Sequence, residues 1–85
     1  MAHPIHDRRY RQLAALLMET RKQRGLLQQD LAERLGRPQS FVSKYESGAR
    51  RIDVIELLDI LRALEADPHE FIDRIRNLPL AALPR

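Results

Sequence analysis

The sequence has no cysteine, which removes disulfide scaffolds, cysteine-containing zinc sites and thiol chemistry together. It has no apolar run approaching the ~18 residues of a membrane span. Its first residues, MAHPIHDRR, lack the apolar stretch of a secretory signal, so the expected location is the cytoplasm. No window of strict apolar–polar alternation is long enough to argue for a strand, and there is no internal repeat or low-complexity stretch. The signatures of catalysis are missing as well: no nucleophile–base arrangement, no phosphate-cradling glycine loop, no paired-carboxylate site. His3, His6 and His69 have no carboxylate or cysteine companions at ligand spacing. Neither enzymatic activity nor a metal or cofactor is expected.

What remains is a chain of 85 residues, enough for one small domain. A domain of this size buries only about 60–65% of its unfolded surface, so its stability is marginal or shared with a partner. With 44% hydrophobic and 32% charged residues it reads as globular rather than disordered. The net charge of +3 is unevenly spread: residues 1–51 hold 11 Lys/Arg against 5 Asp/Glu, and residues 52–85 hold 4 against 7. One half is thus +6 and the other −3, which points to one side facing a polyanion and one side facing elsewhere. Uneven solvated surface is the plainer alternative.

Glycine and proline divide the chain into helical segments. Residues 1–6 read as a flexible end. From Asp7 to about Arg24, Tyr10, Leu13, Leu16 and Leu17 recur at helical spacing, with Arg21, Lys22 and Arg24 in the last turn, where cations suit the helix dipole. Gly25 ends this helix. A short second helix fits Gln28 to Leu35, with Leu31, Ala32 and Leu35 as its stripe, and Gly36 closes it. Pro38 can occupy the first turn of a third helix, which buries Val42 and Tyr45 and stops after Ser47 at Gly48. Asp53 and Glu56 form a D-x-x-E capping box that opens a fourth helix, Val54 to about Glu65. Asp67-Pro68-His69-Glu70 repeats the device before a fifth helix carrying Phe71, Ile72 and Ile75. The tail 77–85 contains two prolines and cannot be regular helix throughout. The predicted fold is all-α: a five-helix domain over residues 7–76, with the tail as a possible dimerisation segment.

The fourth helix holds an excess. Val54, Ile55, Leu57, Leu58, Ile60, Leu61 and Leu64 cover more than the single stripe a surface helix needs. Either the helix is central to the core, or part of it is covered by a second chain.

The stretch Gln28 to Gly48, QQDLAERLGRPQSFVSKYESG, joins two short helices through a tight turn at Gly36. Ala32 is small where the helices would cross, and Val42 and Tyr45 face back toward Leu31 and Leu35. This is the arrangement of a helix-turn-helix. From Leu16 to Ile72 the chain resembles the phage repressor/Cro-like, or XRE, family: Gln28, Ala32, Gly36 and Val42 stand at its spacing, followed by the K-Y-E-x-G run at Lys44–Gly48. Two positions depart from it. Leu27 stands where the family caps its second helix with Ser or Thr, at a cost of about 0.5–2 kcal/mol, and Arg37-Pro38 replaces the usual aliphatic–Ser pair.

The resemblance implies double-stranded DNA as partner and a homodimer as the acting form. It places Gln39 and Ser40 at the outward start of the third helix, where the family makes base contacts; a glutamine amide matches adenine N6 and N7. Phe41 is outward in this phasing, against a thymine methyl or wedged between the third helix and a neighbour. Ser43 and Lys44 follow one turn later, and Lys44 reaches guanine or a phosphate. Gln28 at the second helix N-terminus suits a phosphate oxygen, as do Arg37, Arg50 and Arg51 around the third helix. Arg21 and Glu46 correspond to a structural pair tying the first helix to the third.

The leading function is a sequence-specific transcriptional regulator, a repressor reading a palindromic operator. No sensor domain is expected after the helices, so control would come through concentration, oligomerisation or a partner. An antitoxin that binds its own promoter and masks an enzyme is the first alternative, although nine tail residues are short for masking. A protein-only adaptor is the second, and Gln39, Lys44 and Arg50 argue against it.

Overall fold

The computed structural model describes residues 7–78; these form five α-helices and, among the described residues, no strand. They are α1 (Arg8–Gln23), α2 (Gln28–Leu35), α3 (Gln39–Ser47), α4 (Val54–Ala63) and α5 (Pro68–Arg76). The expected flexible end 1–6 and the tail from residue 79 onward lie outside the described residues.

Local chemistry accounts for where the helices begin. The carboxylates of Asp7, Asp53 and Asp67 accept from the backbone N–H groups of Arg9, Glu56 and His69 at 2.8, 2.7 and 2.9 Å. Each satisfies a donor that the first helical turn leaves without a partner. Glu56 completes the box at α4 by accepting from the Asp53 N–H at 3.0 Å. Leu27 has no oxygen with which to cap α2, but Asp30 reaches back and accepts from the Leu27 N–H at 2.8 Å. The expected weakness is therefore offset from inside the helix. Pro38 stands at the cap position of α3, extended at φ −63° and ψ 152°, rather than in the first turn.

The ends of α2 and α4 share one device. Past α2, Gly36 donates to the Glu33 carbonyl at 3.1 Å and Arg37 to that of Ala32 at 3.0 Å, the paired bonds of a left-handed helix stop. Gly36 needs its φ of +66° for this, and it makes the tight turn before α3. Past α4 the same pair recurs, Glu65 N–H to the Arg62 carbonyl and Ala66 N–H to that of Leu61, but the left-handed residue is Glu65 at φ +55°. For this reason α4 ends before Glu65 instead of running to it. A non-glycine residue there costs about 1–2 kcal/mol. Glu65→Gly is expected to stabilise the domain by about 1 kcal/mol, read as a rise of roughly 4–8 °C in melting temperature. A fall would show that the backbone holds this conformation without strain.

The core gathers Leu16 and Leu17 from α1, Leu31 and Ala32 from α2, Val42 and Tyr45 from α3, Ile60, Leu61 and Leu64 around α4, and Phe71 from α5. The aliphatic excess of α4 resolves into two faces. Ile60, Leu61 and Leu64 are fully buried, while Val54, Ile55 and Leu58 remain 70%, 67% and 42% exposed. The helix is central to the core along one stripe and bare along another.

Candidate nucleic-acid interface

Helix α3 is seated by what it buries. Val42 and Tyr45 have no exposed surface, and Leu31 and Ala32 of α2 lie in the same cluster. The outward side of α3 carries Gln39, Ser40 and Lys44, all exposed, with Ser43 half-buried.

Phe41 takes the inner of the two placements expected for it. It is 8% exposed and belongs to the core cluster, so it is not an outward base contact. It sits four residues before Tyr45, on the same side of the helix, and the two rings meet edge to face at 5.4 Å and 66°. That i, i+4 spacing was the signal that could have placed it. Its remaining surface is covered by cations: the guanidinium carbons of Arg37 and Arg50 lie 4.5 and 4.8 Å from the ring centroid.

The start of α3 is tied to the interior by a chain of polar contacts. Arg21 Nε and Nη2 donate to Glu46 Oε2 and Oε1 at 2.8 and 3.1 Å, a two-pronged pair with side chains only 7% and 2% exposed. The guanidinium also donates to the Leu26 carbonyl at 2.7 Å, fixing the α1–α2 connection. Gln28 Nε2 donates to Glu46 Oε1 at 3.0 Å, and Gln28 Oε1 accepts from Gln39 Nε2 at 3.4 Å. A buried charge pair thus communicates through Gln28 with the side chain at the exposed head of α3.

The arginines flanking α3 are engaged with carboxylates. Arg50 donates to both oxygens of Glu56 at 3.1 and 2.9 Å, and Arg37 reaches Glu56 at 3.5 Å. Arg51 lies 3.7 Å from Asp7 and 5.2 Å from the Tyr10 ring. The Tyr10 hydroxyl donates to the Arg50 carbonyl at 2.8 Å, anchoring the loop after α3 to α1. Hydrogen bonds from Arg50, then from the Asp53 N–H, hold the Glu56 carboxyl down to about 2. Arg9 does the same for Asp7, again to about 2. Sequence reading found Glu56 only as a capping residue, because nothing local marks a partner 19 positions away at Arg37.

Among the described residues no group of His, Asp and Glu could hold a metal ion, and no helix is long and apolar enough to cross a membrane. His3 and His6 lie outside the described residues.

Residues 17–71 match the helix-turn-helix family model. An XRE-family-like protein from Pseudomonas syringae pv. tomato str. DC3000 is 46% identical, with a TM-score of 0.78 over 84% of this chain and 87% of that one. The restriction–modification controller protein C.AhdI from Aeromonas hydrophila is 31% identical, with a TM-score of 0.68 over 73% and 94%. A second controller protein, C.Esp1396I, solved as a tetramer with its natural 35 base-pair operator, is 20% identical; its TM-score of 0.78 over 84% and 93% shows a shared fold. Comparison with curated proteins finds no match. The chain belongs to the XRE-type helix-turn-helix family of DNA-binding transcription regulators.

Proposed function

We propose that this regulator is a repressor that reads a palindromic operator as a homodimer in the cytoplasm, with no reaction of its own. The observation that carries the reading is the two-sided construction of α3. Its inner side is locked into the core by Phe41, Val42 and Tyr45, while its outer side holds Gln39, Ser40 and Lys44 in solvent. A helix so fixed can enter a major groove without rearranging. In this reading Gln39, Ser40, Ser43 and Lys44 meet base edges, and Gln28, Arg37, Arg50 and Arg51 meet phosphates. The bare stripe of Val54, Ile55 and Leu58 supports a second copy as the cover, since soluble monomers rarely expose large contiguous apolar patches. The controller protein C.Esp1396I, which meets its operator as a tetramer, offers a precedent for a related fold acting in copies.

Selection of bound duplexes from a random pool tests the reading directly. A two-fold symmetric site is the expected result; an asymmetric half-site or unselected sequence would overturn it. Within the selected site, Gln39→Ala is expected to cost about 1–3 kcal/mol while random duplex binds nearly as before. Equal losses on both would make Gln39 a backbone contact.

A further inference from the structure

Glu56 stands at the third position of α4, outside the helix-turn-helix, yet it holds a cation from each end of α3. Arg37 precedes that helix and Arg50 follows it, and one carboxylate takes contacts from both at 2.9 to 3.5 Å. The Glu56 side chain is 12% exposed, against 43% and 39% for the two arginines. The acceptor is tucked beneath and the donors lie toward solvent, with both guanidiniums resting near the Phe41 ring. The three groups together carry one net positive charge.

We propose that Glu56 is a positioning residue that restrains Arg37 and Arg50, so that random duplex meets one net charge at this corner instead of two. The inference rests on the assignment of these arginines to DNA phosphates. Binding without sequence preference draws almost entirely on phosphate neutralisation and counterion release, so it loses most when a carboxylate already occupies the cations. A selected site adds base contacts from α3 that do not depend on this corner, and discrimination widens. A guanidinium held through both prongs still has N–H donors left for a phosphate, but it offers them with much of its charge already neutralised by the carboxylate.

The test is Glu56→Gln, which keeps the N3 hydrogen bond to the Asp53 N–H, because glutamine also serves in a capping box. Binding to a short random-sequence duplex is measured across a salt series. The log K against log salt slope is expected to steepen by about one unit, with binding near 0.1 M salt tightening by about five- to tenfold. In the double variant Glu56→Gln, Arg50→Ala the local charge returns to one, and the slope should return to the parental value. An unchanged or shallower slope in Glu56→Gln overturns the proposal, as does a double variant that stays steep. A lowered melting temperature with an unaltered slope would leave Glu56 a purely structural residue and overturns it too. A parent chain that binds no duplex in a salt-dependent way refutes the DNA-contact assignment itself, a failure visible before any variant is compared.

Discussion

Arg21→Ala is expected to destabilise the domain by about 3–5 kcal/mol, the usual consequence of removing one partner from a buried ion pair. The magnitude follows from what is left behind. Glu46 would keep a carboxylate that is 2% exposed, with Gln28 as its remaining donor, and the Leu26 carbonyl would lose the guanidinium that pins the α1–α2 connection. In a domain this small each kcal/mol moves the melting temperature by roughly 4–8 °C, so thermal denaturation followed by circular dichroism should show a fall of at least about 12 °C. Arg21→Lys, which keeps the charge without the two-pronged geometry, should fall between parent and alanine variant. A melt matching the parent would mean that the pair contributes nothing measurable. Exposed pairs such as Arg76–Asp73, 76% and 67% exposed, should by contrast be nearly silent on removal.

The paired substitution Ile55→Asp, Leu58→Asp is expected to convert the proposed dimer to monomer. Both positions are already exposed, at 67% and 42%, so the changes should alter the fold by no more than about 0.5 kcal/mol in the single chain. Two like charges per copy on a self-complementary two-fold surface would meet their counterparts across it. Sedimentation should then report one chain where the parent reports two. Affinity for a full two-fold site should fall by about 10²-fold or more, because the second half-site no longer binds intramolecularly. A parent that sediments as a monomer at micromolar concentration would remove the basis of the prediction. A variant that remains dimeric would move the interface off this stripe.

The parts of the fold written in short-range chemistry were readable in advance. Asp7, Asp53 and Asp67 announce helix starts, Gly25 and Gly36 announce ends, and α2 begins and stops where its stripe does. Where two local signals compete, the reading slipped: Glu65 looks like a helix residue, and its left-handed backbone is imposed by the closing bonds after α4. Phe41 stays open between an outward and a wedged placement when Val42 and Tyr45 alone define the inner stripe, whereas an aromatic four residues before Tyr45 belongs to it. The pairing of Arg21 with Glu46 came through family resemblance. The hold of Glu56 on Arg37 and Arg50, and of Asp7 on Arg51, came from neither source. Arg37–Glu56 and Arg51–Asp7 join segments far apart in sequence, and Arg50–Glu56 spans six residues across a loop whose course only the packed fold decides.

The Gln39–Gln28–Glu46 chain also has a polarity. An ionised carboxylate only accepts, so Gln28 must turn its NH2 toward Glu46 and offer its oxygen to Gln39. Gln39 must then answer with its own NH2, which commits one of its two protons inward. Its oxygen and its second proton are what remain for anything approaching from outside. Under the proposed reading, the handedness with which Gln39 meets a base is therefore settled by Glu46, a group with no path to the groove. Letters of the operator would in part be spelled from within the core.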